Sequence, residues 1–222
     1  MAKPAGGSCN LDCSYCFYTK KTAMYPGPLR MTPEVQERYV RDVIAATPGP
    51  EVAFSWQGGE PTLMGLAFFE RAVELQREYG KGRRITNALQ TNGTLLNDAW
   101  GAFLAKHKFL VGISIDGPRE VHDDQRCDRR GLGSLDRVLA GLKVLQRHRV
   151  EYNVLTVVSA LNAQYPEVVY RFLRKLGARH LQFIPLVERA VSNSEDLEAV
   201  PGEVRFRPRP TATSFVASST SG

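Results

Sequence analysis

The chain has 222 residues, a net charge of +6 at pH 7 and 43% hydrophobic residues, which suits one globular domain with a substantial core. No apolar run approaches the ~20 residues of a membrane-spanning helix, and the start of the chain shows no apolar signal segment. The basic residues are dispersed among acidic ones, which favours a solvated surface, so we expect no membrane partner and no nucleic-acid partner.

Strand-like and helix-like segments alternate about six times along the sequence. The predicted strands cover residues 1–7, 51–56, 84–90, 109–115, 152–158 and 180–186. The predicted helices begin after the N-cap residues Thr32, Asn97 and Ser134, and near Leu66 and Tyr165. This alternation predicts an α/β protein with parallel βαβ units and helices outside, in either an open barrel or a doubly wound sheet.

A polar or glycine-rich turn follows each predicted strand. The turns are the cysteine-rich loop from residue 9 onward and residues 57–60, 91–93, 116–117, 159–162 and 185–186. The carboxyl ends of parallel strands lie at one edge of a barrel or sheet, and that edge carries the active site in both architectures. We therefore expect these turns to surround one common site.

The composition changes near Val191, where apolar periodicity stops and Pro, Ser, Thr, Ala and charged residues dominate. Such a composition cannot bury enough apolar surface to form a packed core. The sequence therefore predicts one core domain over residues 1–191 and a disordered tail over residues 192–222.

Three of the four cysteines, Cys9, Cys13 and Cys16, lie within eight residues. A disulfide would leave one of the three thiols unused, and a structural zinc site needs four ligands. A [4Fe–4S] cluster held by three thiols keeps one iron open to an outside ligand, which is typical of a catalytic centre. The fourth cysteine, Cys127, is interpreted as a free thiol. Free thiols and an oxygen-sensitive cluster fit a reducing compartment, so we expect a cytoplasmic protein.

Other polar residues at strand ends have both a functional and a structural interpretation. Glycines at Gly58 and Gly59 suit a backbone that runs close to a ligand, and Glu60 could accept from an ammonium group, although a tight turn with a solvated Glu is the alternative. Arg126 could hold a carboxylate through two hydrogen bonds, and a surface arginine is the alternative. His122 has no evident catalytic partner, so loop packing is the expected role.

Several longer stretches occur together with the cysteine loop. They are AKPAG from residue 2, CNLDCSYCFY from residue 9, FSWQGGEPTLMG from residue 54, QTNGTLL from residue 90, GISIDGP from residue 112, YNVLTVV from residue 152 and QFIP from residue 182. Together they resemble the radical S-adenosylmethionine (SAM) enzymes and, among these, the anaerobic sulfatase-maturating enzymes, over about residues 1–191.

The resemblance implies a partial (β/α)6 TIM-like barrel and the oxidation of a Cys or Ser of a sulfatase to Cα-formylglycine. It implies that SAM binds the open iron of a [4Fe–4S] cluster and is cleaved by one electron to a 5′-deoxyadenosyl radical. The implied partners are a sulfatase polypeptide as substrate and an electron donor such as flavodoxin or ferredoxin.

The resemblance also assigns the site residues. Those of the cluster are Cys9, Cys13 and Cys16. Those lining SAM are Tyr15, Gly58, Gly59, Ser114, Arg126 and Leu186, with Tyr18, Gln57 and Glu60 as further contacts.

One departure from the family limits these expectations. Family members continue into a cysteine-rich SPASM-type domain that binds auxiliary clusters and supplies an Asp base, whereas no cysteine follows Cys127 here. We therefore expect a truncated enzyme whose catalytic base lies beyond this chain. A non-catalytic iron–sulfur or zinc-binding module and a chain that does not fold stably are the alternatives.

Overall fold

The structure is a computed structural model that describes residues 1–18 and 30–186. Its sheet consists of β1 (Glu51–Trp56), β2 (Arg84–Thr91), β3 (Leu110–Ser114), β4 (Tyr152–Val158) and β5 (Leu181–Pro185). Its helices are α1 (Pro33–Ala46), α2 (Leu66–Tyr79), α3 (Asp98–Lys106), α4 (Arg119–Gln125), α5 (Leu135–Arg147) and α6 (Pro166–Lys175), with 3₁₀ turns at Pro61–Met64 and Asn162–Gln164. The predicted tail at 192–222 lies outside the described residues.

The five strands are all parallel and follow one another across the sheet in chain order. A doubly wound sheet would instead reverse its strand order at a switch point. The unbroken order therefore decides between the two predicted architectures and confirms the α/β half-barrel.

The predicted first strand is largely replaced by turns. Ala2 forms an isolated parallel bridge to Trp56, its N–H donates to Ser55 O at 2.8 Å, and its carbonyl accepts from Gln57 N at 3.0 Å. The chain then leaves the sheet because Gly6 adopts a φ of +56° and donates back to Lys3 O at 2.9 Å. A strand over residues 1–7 was therefore the wrong prediction, although residue 2 occupies the expected edge of the sheet.

A buried aromatic cluster fills the space between the sheet and its first helices. Trp56, Phe54 and Phe69 are almost fully buried, and Trp100 packs edge-to-face on Phe69 with ring centroids 5.3 Å apart. The indole N–H of Trp56 donates to Asn87 Oδ1 at 2.9 Å, which satisfies the only polar atom of that side chain. Within residues 1–18 and 30–186, no helix is long and apolar enough to cross a bilayer.

Helix starts follow the predicted caps at two positions and differ at a third. Thr32 and Asn97 accept from the third residue of their helices, as expected for N-caps. The Ser134 side chain does not cap α5. Instead, Asp123 Oδ1 accepts from both Ser134 N and Leu135 N at 2.8 Å, while Ser134 Oγ donates to Arg126 O at 2.6 Å. The cap therefore comes from α4, and this arrangement anchors the chain on either side of Arg126.

Candidate functional site

The cysteine loop is held against the segment that follows α4. Leu11 forms an antiparallel bridge to Asp128, and Asp12 N donates to the carbonyl of Cys127 at 2.8 Å. Cys9, Cys13, Cys16 and Cys127 are all free thiols of intermediate exposure. The Cys127 thiol donates to the backbone carbonyl of Asp12 at 3.6 Å, which fits its interpretation as a free thiol. Two distant parts of the sequence thus combine to shape one thiol-bearing loop.

The glycine pair after β1 packs directly on the backbone that leads into the cysteine loop. Gly59 N donates to Gly6 O at 2.9 Å, and Glu60 N donates to Ser8 O at 2.7 Å. A Cβ on Gly59 would lie 2.0 Å from Ser8 O. The sequence suggested a ligand as the reason for these glycines, whereas the structure places protein backbone against the Cβ side of Gly59. The glycines therefore lock two loops of the site together.

Glu60 is fully buried rather than solvated. Its Oε1 accepts from Thr62 N at 3.0 Å, from Thr62 Oγ1 at 2.6 Å and from Thr91 Oγ1 at 2.7 Å, and its Oε2 accepts from Asn92 N at 2.7 Å. Burial raises the pKa of this carboxyl, and the donated hydrogen bonds act in the opposite direction. The carboxylate thus ties the turn after β1 to the end of β2, and its contact with SAM stays a prediction.

A second buried carboxylate, Asp116, lies directly beyond β3 and joins two of the predicted site residues. Asp116 Oδ2 accepts from Tyr15 Oη at 2.5 Å and from Arg126 Nε at 2.8 Å, and Oδ1 accepts from Val157 N at 2.9 Å. The Arg126 guanidinium also lies 5.4 Å from the centre of the Tyr15 ring. Burial alone would lower the pKa of Arg126, but the Asp116 charge raises that pKa above its usual value. Arg126 is therefore a buried, fixed cation beside the cysteine loop.

Two thiols of the loop, Cys9 and Cys13, are in surroundings that oppose ionisation. Burial raises the pKa of the Cys13 thiol to about 12, although the Arg126 charge counteracts it. Burial also raises the pKa of Cys9, while a hydrogen bond from Leu11 N to its sulfur lowers it. Such thiols stay protonated at neutral pH unless a metal takes the place of the proton.

The donor set of the loop, three free thiols, is of the type that holds an iron–sulfur cluster. In the described part of the chain, no three His, Cys, Asp or Glu side chains converge on one ion. A [4Fe–4S] cluster instead takes one thiolate for each iron, so its thiols lie farther apart than ligands of one zinc ion. Two N–H groups, Leu11 N and Asn92 Nδ2, point at Cys9 Sγ from 3.4 and 3.7 Å. Such donors suit a sulfur that carries negative charge.

Comparison with known proteins places the chain in a family. The model of the radical SAM superfamily matches residues 4–173. The chain belongs to the radical SAM superfamily. This membership confirms the resemblance of the cysteine loop, and the enzymes of this superfamily use a [4Fe–4S] cluster together with SAM.

Within the superfamily, the chain is similar to anaerobic sulfatase-maturating enzymes. It is 42% identical to a serine-type enzyme of Bacteroides thetaiotaomicron over 88% of this chain and 48% of that protein. It is 41% identical to a cysteine-type enzyme of Clostridium perfringens over 83% of this chain and 50% of that protein. The solved structure titled "Native anSMEcpe with bound AdoMet" matches with a TM-score of 0.80 and 40% identity, covering 86% of this chain and 53% of that one. The chain thus spans about half the length of the relatives it matches.

The structure brings some of the predicted site residues together. Tyr15 and Arg126 meet at Asp116, and Gly58 and Gly59 lie against the backbone before Cys9. Ser114 is buried at the end of β3, and Leu186 follows β5 with its N–H on Val158 O at 2.9 Å. All of these residues lie at the carboxyl edge of the sheet, as expected from the polar and glycine-rich turns that follow the predicted strands.

Two other predicted residues lie beside the start of the chain. The Gln57 side chain donates to Met1 Sδ, and its N–H donates to Ala2 O. The Tyr18 ring contacts Phe17 with centroids 4.2 Å apart and has Lys3 Nζ 5.0 Å above it. Their contribution to SAM binding stays a prediction.

Sequence reasoning missed the network behind Arg126. His122 is fully buried, its Nδ1 accepts from Asp116 N at 3.2 Å, and its Nε2 lies 3.1 Å from Ser134 Oγ. Because Ser134 Oγ donates to the Arg126 carbonyl, the proton of neutral His122 lies on Nε2. Burial lowers the pKa of His122 to about 4. The packing role expected for His122 is confirmed, and the only sequence signal for the network was an Asp directly after a buried strand.

Proposed function

We propose that this chain is the radical-generating core of an anaerobic sulfatase-maturating enzyme. The observation that carries the proposal is the placement of Cys9, Cys13 and Cys16 in one loop, without disulfides, beside the buried Arg126 cation. Sequence identity of about 40% to maturases over most of this chain supports the same conclusion. Because the chain spans about half of those relatives, the activity of the whole enzyme is part of the proposal.

The residues of the site have separate roles in this proposal. Cys9, Cys13 and Cys16 would hold a [4Fe–4S] cluster and leave one iron open for SAM. Bound there, the cluster and SAM would supply the radical chemistry that removes a hydrogen atom from the substrate. Arg126, oriented by Asp116, attracts the carboxylate of SAM and fixes its position. Tyr15 closes the same side of the site through its hydroxyl bond to Asp116.

The remaining predicted residues surround SAM from the other strand ends. Gly58 and Gly59 offer backbone without side chains, Ser114 offers a hydroxyl, and Leu186 offers backbone and an apolar surface. The carboxylate of Glu60 acts by holding the turn after β1 against β2, because its oxygens already accept four hydrogen bonds from the protein. Tyr18 and Gln57 lie at the rim of the site.

The proposed substrate is a sulfatase polypeptide whose Cys or Ser becomes Cα-formylglycine. Similarity to both serine-type and cysteine-type enzymes supports the reaction class and leaves both residues as candidates. A relative of this chain has been solved with SAM and a peptide named Cp18Cys. A low-potential protein such as flavodoxin or ferredoxin supplies the electron. Four free cysteines suit a reducing compartment, which supports a cytoplasmic location.

The test uses the full chain, reconstituted with iron and sulfide under anaerobic conditions. It is incubated with SAM, dithionite and a sulfatase peptide that carries Cys, Ser or Ala at the target position. We expect 5′-deoxyadenosine that takes up deuterium from the β-carbon of the target residue in the Cys or Ser peptide, detected by mass spectrometry, and no such uptake from an Ala peptide deuterated at the same carbon. SAM cleavage without any deuterium uptake would contradict the sulfatase assignment. Bound zinc without sulfide would instead favour a non-catalytic metal-binding module.

A further inference from the structure

We propose that Asn92 raises the reduction potential of the cluster by donating an N–H···S hydrogen bond to the sulfur of Cys9. This inference rests on the proposed function, because it requires a cluster bound to Cys9. The role is one of positioning and tuning, since Asn92 acts on the iron through a thiolate ligand.

The contact brings together residues that are far apart in the sequence. Asn92 follows β2 directly, and its Nδ2 lies 3.7 Å from Cys9 Sγ and 2.9 Å from Asn10 Oδ1. An amide NH₂ has two protons, so one can serve each acceptor. The Leu11 N–H, 3.4 Å from the same sulfur, is the second donor to Cys9. The Cys9 sulfur is therefore approached by one backbone donor and one side-chain donor.

The orientation of the Asn92 amide follows from its other partners. Its Oδ1 accepts from Thr94 N at 3.0 Å and from Thr94 Oγ1 at 2.7 Å. A backbone N–H can only donate, so the oxygen of the amide must face Thr94 and the NH₂ must face Cys9. Asn10 Nδ2 donates to Thr94 Oγ1 at 2.8 Å and closes a ring of three hydrogen bonds among these side chains. The network therefore directs the donor at the sulfur.

The Asn92 backbone is fixed as well as its side chain. Asn92 is 7% exposed, and its N–H donates to the buried Glu60 carboxylate at 2.7 Å. Glu60 is in turn held by Thr62 and Thr91. A donor fixed on both sides loses little entropy when it binds a charged acceptor, so the interaction with the sulfur keeps most of its strength.

The direction of the effect follows from the charge on the cluster. Reduction adds an electron, and that negative charge is shared by the sulfur ligands. A hydrogen bond to a ligand sulfur therefore stabilises the reduced state more than the oxidised state and raises the potential. We expect loss of this bond to change the ratio of the two redox states about tenfold, which equals about 59 mV for one electron.

The experiment compares two buried asparagines of the same strand region. Asn87 is also 7% exposed, but its side-chain hydrogen bonds go to Trp56 and Gln76 rather than to a cysteine. Asn92→Leu, Asn87→Leu and the parent chain are reconstituted anaerobically, and the potential of each cluster is measured by redox titration followed by electron paramagnetic resonance. We expect Asn92→Leu to lower the reduction potential of the cluster by about 59 mV, which corresponds to a tenfold change in the ratio of reduced to oxidised cluster. We expect Asn87→Leu to leave the potential unchanged.

A second measurement needs no variant. The parent chain is prepared with asparagine that carries ¹⁵N in its side-chain amide, and the reduced cluster is examined by electron–nuclear double resonance. A ¹⁵N coupling to the cluster supports the proposal even if Asn92→Leu fails to assemble a cluster. Absence of that coupling, or an equal potential in Asn92→Leu and the parent chain, overturns the proposal alone. Failure of the parent chain to assemble any cluster overturns the proposed function as well.

Discussion

Replacement of the Asp116 carboxylate by an amide tests the claim that the Arg126 cation is buried and held by one counter-charge. The Asp116 side chain is 0% exposed and that of Arg126 is 9% exposed, with Nε 2.8 Å from Oδ2. An asparagine side chain has nearly the same shape as an aspartate, so the variant removes the negative charge and, at one of the two oxygen positions, presents an NH₂ group to donors from which the carboxylate accepts. The variant Asp116→Asn therefore leaves the Arg126 charge in a buried place without its counter-charge.

The expected loss in the free energy of unfolding is large for a substitution that changes little of the side chain's shape. Removing one partner of a buried ion pair costs about 3–5 kcal/mol, because the other charge remains uncompensated. The free energy of unfolding of a whole domain is only about 5–15 kcal/mol. We therefore expect Asp116→Asn to lower the free energy of unfolding by about 3 kcal/mol, and the double variant with Arg126→Met to recover part of that loss.

The assay is urea unfolding of the full chain, followed by circular dichroism, with the slope against urea checked for constancy. Glu167→Gln is the matched control, since its ion pair with Arg171 at 2.8 Å lies on the surface, with side chains 78% and 74% exposed. Its expected cost is less than about 0.5 kcal/mol. Equal costs for Asp116→Asn and Glu167→Gln, or no recovery in the double variant, would refute the reasoning.

Three further predictions use the same unfolding assay. Gly59→Ala places a methyl group 2.0 Å from Ser8 O and should lower the free energy of unfolding by about 3 kcal/mol. Gly131→Ala, at a φ of +77° but with open space around it, should lower it by only about 1 kcal/mol. The reverse order of the two losses would contradict the loop packing. Glu60→Gln puts an NH₂ group against backbone donors and should lower the free energy of unfolding by about 2 kcal/mol. An unchanged free energy of unfolding would show that the carboxylate is not needed to hold the turn after β1. Burial lowers the pKa of His122 from 6.5 to about 4. Between these two pH values the unfolded chain binds more protons than the folded chain, so the free energy of unfolding falls as the pH falls from 6.5 towards 4. Between about pH 7 and pH 5 this titration removes about 2 kcal/mol, and His122→Asn should flatten that dependence; an unchanged slope would argue against a neutral, buried imidazole.

Local patterns predicted most of the regular elements. The apolar run predicted as a strand over 109–115 forms β3 at Leu110–Ser114, and the helix predicted to begin near Leu66 is α2. These elements depend on periodicity, which neighbouring residues carry. The first strand failed because one glycine, Gly6, turns the chain away after Ala2. That choice depends on contacts with the turn after β1, which no local pattern contains.

Only the part of the candidate site that lies in one short stretch of sequence could be predicted from the sequence. The cysteine spacing indicates a cluster before any fold is known, since the three thiols lie in one short loop. The interactions of Arg126 and Asn92 depend on tertiary contacts, with Asp116 and with Cys9. The cap of α5 likewise comes from Asp123, one helix earlier. Residues that act through distant partners are therefore the ones that sequence patterns leave out.

The central claim is that Cys9, Cys13 and Cys16 hold a cluster that cleaves SAM. The most direct measurement is the amount of iron and of 5′-deoxyadenosine per chain after anaerobic reconstitution, with SAM and dithionite present. We expect about four irons per chain and 5′-deoxyadenosine from the parent chain and from Cys127→Ala, and loss of both from Cys13→Ala. A fully loaded cluster that yields no 5′-deoxyadenosine would contradict the claim.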